Sequence, residues 1–137
     1  MNLQIYTDGG ARGNPGPAGI GAVVVDKDTG RVLEEVAVYL GETTNNQAEY
    51  RAAIAALQKA VDLGAKTVEL ISDSELMIKQ ARGVYKVKNA DLAKRYLELK
   101  NLETQLGGRV QYRHVKREHN TRADALANQA MDVGRRA

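Results

Sequence analysis

The sequence predicts an α/β fold, a mixed β-sheet flanked by helices within one domain. Two patterns carry this expectation: the N-terminal part strings strand-like runs between turn residues, as a meander does, and the rest alternates strand-like with helical segments. A chain of 137 residues can bury one hydrophobic core, so residues 1–137 are expected to form a single domain with one site.

Leu3 to Asp8 alternate apolar and polar side chains, as a half-buried strand does, and run into GGARGNPGPAG, a stretch whose glycines and prolines predict a loop. Ile20 to Asp26 is rich in valine, DKDTG supplies a turn, and Arg31 to Leu40 is again strand-like, so strands two and three form a hairpin.

From Asn45 to Leu63 the spacing becomes helical. Ala52, Ala53, Ala56, Leu57 and Ala60 form a small-residue face, Gly64 ends the helix, and Thr44-Asn45-Asn46-Gln47 resembles a capping box at its start. Thr67 to Ser72 is a fourth strand and Ser74 to Ala81 a short helix; strand, helix, strand implies a right-handed crossover. Asn89 to Leu106 places Leu92, Tyr96, Leu99 and Leu102 near one side of a helix closed by Gly107-Gly108. Val110 to Val115 is a fifth strand. Thr121 to Val133 forms a last helix with Ala125, Leu126 and Ala130 inward, and the Arg135-Arg136 tail is expected to fray.

Composition narrows the function classes. A formal charge of +3 and a pI near 9.2 favour polyanionic partners without establishing them. The chain has no cysteine, so any metal must be held by oxygen or imidazole. MNLQIYTDGG lacks the pattern of a secretory leader and no apolar run could span a bilayer, so a cytoplasmic enzyme without a membrane partner is expected. The glycines form GxxGxxG and lead into a valine-rich strand, which excludes a dinucleotide-binding fingerprint, and GxxxxGK[ST] does not occur.

The acidic residues suggest chemistry. Asp8 ends strand one, Asp73 follows strand four, Glu49 lies about one turn into the first helix, and Asp124 opens the last. If strands one and four are parallel neighbours, Asp8 and Asp73 meet where sites form in open α/β sheets. Carboxylates packed together repel, and the usual remedy is a hard divalent cation, Mg2+ or Mn2+. Two such ions, about 3.5–4 Å apart in known sites, can activate a water and stabilise a leaving oxygen in phosphoryl displacement. Each acid alone has an ordinary alternative: Asp73 and Asp124 as helix-cap residues, Asp8 as a turn residue, Glu49 as a solvent-facing side chain.

Together, YTDGGARGNPGPAGIGAVV, TTNNQAEYRAAIAAL, VELISDSELMIKQ and REHNTRADALAN resemble the four motif blocks of type 1 ribonuclease H, in a compact form without the basic protrusion. The resemblance covers nearly the whole chain, in order. It implies a five-stranded sheet in the order 3-2-1-4-5 and hydrolysis of the RNA strand of an RNA/DNA hybrid, leaving a 3′ hydroxyl and a 5′ phosphate, with two ions bound alongside substrate. Asp8, Glu49, Asp73 and Asp124 match the four metal-binding acids. Asn14, Asn45 and Asn46 match minor-groove contacts, Thr44 a phosphate contact on the DNA strand, Glu75 a position that often carries Gln, and Arg12 a further substrate contact. Amides suit a minor groove lined by 2′-hydroxyls, since they both donate and accept.

The chain departs from the longer members in two places. REHNTRAD sets His119 close to Asp124, where those members carry a histidine on a long loop; the resemblance gives His119 proton transfer or product release, the alternative being a solvated loop residue. The segment QARGVYKVKN replaces a tryptophan-bearing basic insertion, leaving Lys86, Lys88, Arg113, Lys116, Arg117 and Arg122 as candidate phosphate contacts. Two other functions share these features: a hybrid-binding module without catalysis, and a nuclease of the same fold acting on double-stranded RNA or single strands. Neither needs an obligatory protein partner, and a monomer is expected.

Overall fold

The computed structural model describes residues 1–136. Strands β1 (Asn2–Ala11), β2 (Gly16–Asp26) and β3 (Val32–Thr43) are followed by α1 (Asn45–Asp62), β4 (Thr67–Ser72), α2 (Glu75–Ala81), α3 (Ala90–Gln105), β5 (Val110–His114), a 3-10 turn (Arg117–His119) and α4 (Thr121–Arg136). The sheet order is β3-β2-β1-β4-β5, with β1 antiparallel to β2 and parallel to β4, and β5 parallel to β4. Fold class and strand order agree with the sequence expectation.

Helices α1 and α4 cover opposite faces of the sheet. Neighbouring residues of a strand point to opposite faces, and a Cβ on Gly9 would strike the Ala48 backbone of α1, whereas one on Gly10 would point toward Met131 of α4. The main core lies on the α1 side, where Leu3, Ile5, Leu57, Leu70, Ile78 and Leu99 are buried together. The alanines of α1 let it lie close to the strands: Ala52, Ala53, Ala56 and Ala60 are all buried.

Several boundaries differ from the sequence reading. Strand β1 does not stop at Asp8: Gly9, Gly10 and Ala11 pair with Ile20, Gly19 and Ala18. At Gly9 the backbone of α1 occupies the space a side chain would need, which keeps a glycine in the ladder there. Helix α4 is phased differently from the expectation, burying Ala123, Ala127, Ala130 and Met131 and leaving Ala125 exposed, and it runs through Arg136. The tail expected to fray therefore has helical backbone at 135–136, and Ala137 lies outside the described residues. Ser74 and Asn89 cap α2 and α3 from outside, accepting from Met77 N and from Asp91 N and Leu92 N. Among the described residues no helix is long and apolar enough to cross a membrane.

Candidate metal centre

The parallel register of β1 and β4 ends at the pair Thr7 and Ser72, so the next residue on each strand, Asp8 and Asp73, emerges at the same edge. Glu49 reaches this edge from the first turns of α1. Its Oε1 accepts the Gly9 N–H at 2.7 Å, which fixes the carboxylate beside Asp8. One oxygen each from Asp8, Glu49 and Asp73 lie within 4.8 Å of one another, a spacing that fits a shared cation. Asp124, from the first turn of α4, stands outside this three-oxygen group but lines the same open cavity of about 560 Å³ as Asp8 and Glu49.

Electrostatics show the strain of gathering these groups without a counter-charge. Burial is the main cause that pushes the Asp8 carboxyl up to about 8, with the Asp73 charge and the nearby Asp124 carboxyl adding to it. Glu49 is also raised well above the ordinary glutamate value, first by burial and then by Asp8 and Asp73. Asp73 Oδ2 is buried without a hydrogen-bond partner, and the nearest cation is Arg117, whose Nε lies 3.6 Å away. Hard oxygen donors, an orphaned carboxylate oxygen and mutual repulsion all fit a divalent ion.

Capping does not explain Asp73, since the side chain that caps α2 is Ser74. Thr44 does cap α1, accepting from Gln47 N at 3.2 Å, while Gln47 turns to accept from Arg95 Nε at 2.9 Å and does not complete a capping box. Asn45 and Asn46 line the acidic cavity. Asn45 Oδ1 accepts from Ala11 N at 2.7 Å, and Asn14 Oδ1 accepts from Asn45 N at 3.2 Å. With these oxygens engaged, the two amide nitrogens remain as donors.

Three other candidates sit differently. Arg12 pairs with Asp132 and reaches Asn128 Oδ1 at 3.3 Å, so it ties the β1–β2 hairpin to α4 at the cavity wall. Glu75 lies on the exposed side of α2 in an ion pair with Lys79 at 2.7 Å. His119 is 70% exposed, 3.7 Å from Glu118, and borders a separate depression with Tyr6 and Val23.

Sequence reasoning missed two residues here. Arg117, taken only as a phosphate contact, borders the acidic cavity beside Asp73. Asn120 is 1% exposed and donates from Nδ2 to Thr7 O at 2.9 Å. A signal for it existed: asparagine four residues before Asp124 stands where N-cap residues are favoured.

A five-stranded mixed sheet with acidic residues meeting at the ends of β1 and β4 defines the class of ribonuclease H-like α/β domains. A family model described as "Reverse transcriptase-like" matches residues 6–130. A bifunctional protein of Mycobacterium tuberculosis is 49% identical over 133 residues, covering 97% of this chain and 36% of its own length. The chain thus spans about a third of that relative. A ribonuclease H of Polaromonas is 40% identical, covering 98% of this chain and 92% of the relative. Among solved structures, LC11-RNase H1 in complex with RNA/DNA hybrid superposes with a TM-score of 0.91 at 45% identity, over 96% of this chain and 98% of that one. The chain belongs to the ribonuclease H family.

Proposed function

We propose that this chain is an endoribonuclease that hydrolyses the RNA strand of RNA/DNA hybrids with divalent metal, Mg2+ or Mn2+. The observation that carries the reading is the clustering of Asp8, Glu49 and Asp73 within 4.8 Å, with Asp124 lining the same cavity. Asp8, Glu49 and Asp73 would hold one ion, and Asp8 with Asp124 a second. Bound ions at such a site supply Lewis-acid activation of water and stabilisation of the leaving oxygen, giving a 5′ phosphate and a 3′ hydroxyl.

The protein's own part is positioning. Glu49 is pinned by Gly9, so the acidic cluster is pre-formed. Asn14 and Asn45 offer amide donors beside it, matched to the 2′-hydroxyls and base edges of an A-like minor groove. The Thr44 oxygen accepts the Gln47 N–H, which leaves its hydroxyl hydrogen to donate to a DNA-strand phosphate. Arg117, 82% exposed, adds a positive charge at the cavity mouth for the backbone. The relative solved with an RNA/DNA hybrid supports the substrate class.

The test is a cleavage assay on matched hybrid, double-stranded RNA, single-stranded RNA and DNA carrying one ribonucleotide. The reading expects the hybrid to be cut fastest, in its RNA strand alone. Equal or greater cleavage of double-stranded RNA or of single strands would replace it with the corresponding alternative, and binding without cleavage would favour a hybrid-binding module.

A further inference from the structure

We propose that Asn120 is a positioning residue that holds Asp124 against Asp8 and so sets the affinity of the second ion site. The proposal rests on the reading of the carboxylates as metal ligands.

Asn120 stands directly before α4, and its carbonyl oxygen accepts the Asp124 N–H at 3.1 Å, so the first turn of the helix hangs from it. Asparagine in this place ordinarily turns its side-chain oxygen back onto the first free amides of its own helix. Here it does not. Oδ1 is buried without a hydrogen-bond partner, and Nδ2 reaches across to the Thr7 carbonyl of β1 at 2.9 Å. A buried amide that forgoes half of its bonding is costly, which marks the remaining bond as the one that matters.

The bond joins the residue preceding Asp8 to the residue heading the Asp124 turn. Asp8 is fixed by the sheet, because Thr7 pairs with Ser72 and donates from Oγ1 to Ile71 O at 3.0 Å. Among the described residues no hydrogen bond of Asn120 reaches Glu49 or Asp73. Only the Asp8–Asp124 approach depends on where α4 begins. The backbone of the preceding turn is tied in as well, Asn120 N donating to Arg117 O at 2.9 Å. Loss of the side-chain tether therefore loosens one edge of the cluster and leaves the Asp8, Glu49 and Asp73 group in place.

The test compares Asn120→Ala and Asn120→Ser with the wild type by Mn2+ titration calorimetry in complex with a hybrid whose RNA strand carries a non-hydrolysable linkage, and by thermal unfolding. Serine keeps a helix-capping oxygen but is too short to reach Thr7, so it guards against a failure of the alanine variant to fold. Leu99→Ala, a core truncation in α3, is the control for lost stability alone. The expected result is a weaker second Mn2+ event, by tenfold or more, with the first event within twofold of wild type, and no such separation in Leu99→Ala. Hybrid cleavage by the Asn120 variants should recover as Mn2+ is raised. Two unchanged binding events, or both weakened together as in the Leu99 control, would overturn the proposal. Absence of cleavage of an ordinary hybrid by the wild type would instead count against the proposed function, since the calorimetric comparison requires binding and no cleavage.

Discussion

Glu49 on α1 accepts a hydrogen bond from the backbone of Gly9 on β1 at 2.7 Å, and this contact couples helix packing to the acidic cluster. It exists because Gly9 lacks a side chain: a Cβ there would run into the Ala48 carbonyl and approach Glu49 N at 2.6 Å. The conformational rule usually attached to glycine is not involved, since Gly9 is not among the positive-φ residues.

Gly9→Ala should consequently damage stability and site together. Forcing backbone apart in a packed interior costs about 1–3 kcal/mol, and contact with backbone on a helix points to the upper end. Chemical denaturation should show that loss, and metal titration should show weaker binding because Glu49 moves away from Asp8 and Asp73.

Asp8→Asn should raise the stability of the metal-free protein while abolishing cleavage. The Asp8 carboxyl is pushed up to about 8, which means that its charged form is disfavoured in the fold. From about pH 4 upward the unfolded chain ionises this group and the fold resists it, so an amide avoids a penalty that grows to pH 8, a gain on the order of 1 kcal/mol or more. Thermal unfolding without metal checks the first half and a hybrid cleavage assay the second. Asp73→Asn should also abolish cleavage while leaving the fold intact.

The same shift gives a pH dependence with a definite sign. Asp8 rises from 3.8 to about 8 on folding, so between those values the folded protein binds more protons than the unfolded chain. Its contribution to stability is fully present below about 4 and is lost as pH rises toward 8; Glu49, raised well above the ordinary glutamate value of 4.5, acts in the same direction. Divalent metal favours the charged carboxylates, so the gain in Tm on adding Mg2+ should grow across this window. A gain that shrinks as pH rises would contradict the assignment of these groups as ligands.

Arg117→Ala should leave Tm almost unchanged, because the side chain is 82% exposed and its contact with Asp73 is 3.6 Å long. If Arg117 meets one phosphate, hybrid binding should weaken and the slope of log affinity against log salt should fall by about 1. His119→Ala, by contrast, should retain most turnover, since His119 borders a depression apart from the acidic cavity. Steady-state rates of the two variants on one hybrid separate these outcomes.

Much of this architecture was legible in the chain because its signals are local. Valine-rich runs gave β2, the alanine face gave α1, and glycines marked the ends of α1 and α3. The placement of Asp8 and Asp73 after two strands was enough to suggest that they meet. What stayed hidden depends on contacts between elements. Gly9 to Ala11 looked like loop because glycine weakens a strand in isolation, yet all three pair with β2, and α1 leaves no room for a side chain at Gly9. The phase of α4 was misjudged because alanines occur on several of its sides, and only packing selects Ala123 and Ala127. Asn120 was passed over, because its bond to Thr7, 113 residues earlier, follows no local pattern.

Metal-dependent cleavage of an end-labelled RNA/DNA hybrid tests the central claim most directly. Mg2+ or Mn2+ should produce RNA fragments with 5′ phosphates and leave the DNA strand whole, and a chelator should stop the reaction. An RNA strand that stays intact with metal present, or cutting that persists after chelation, would contradict it.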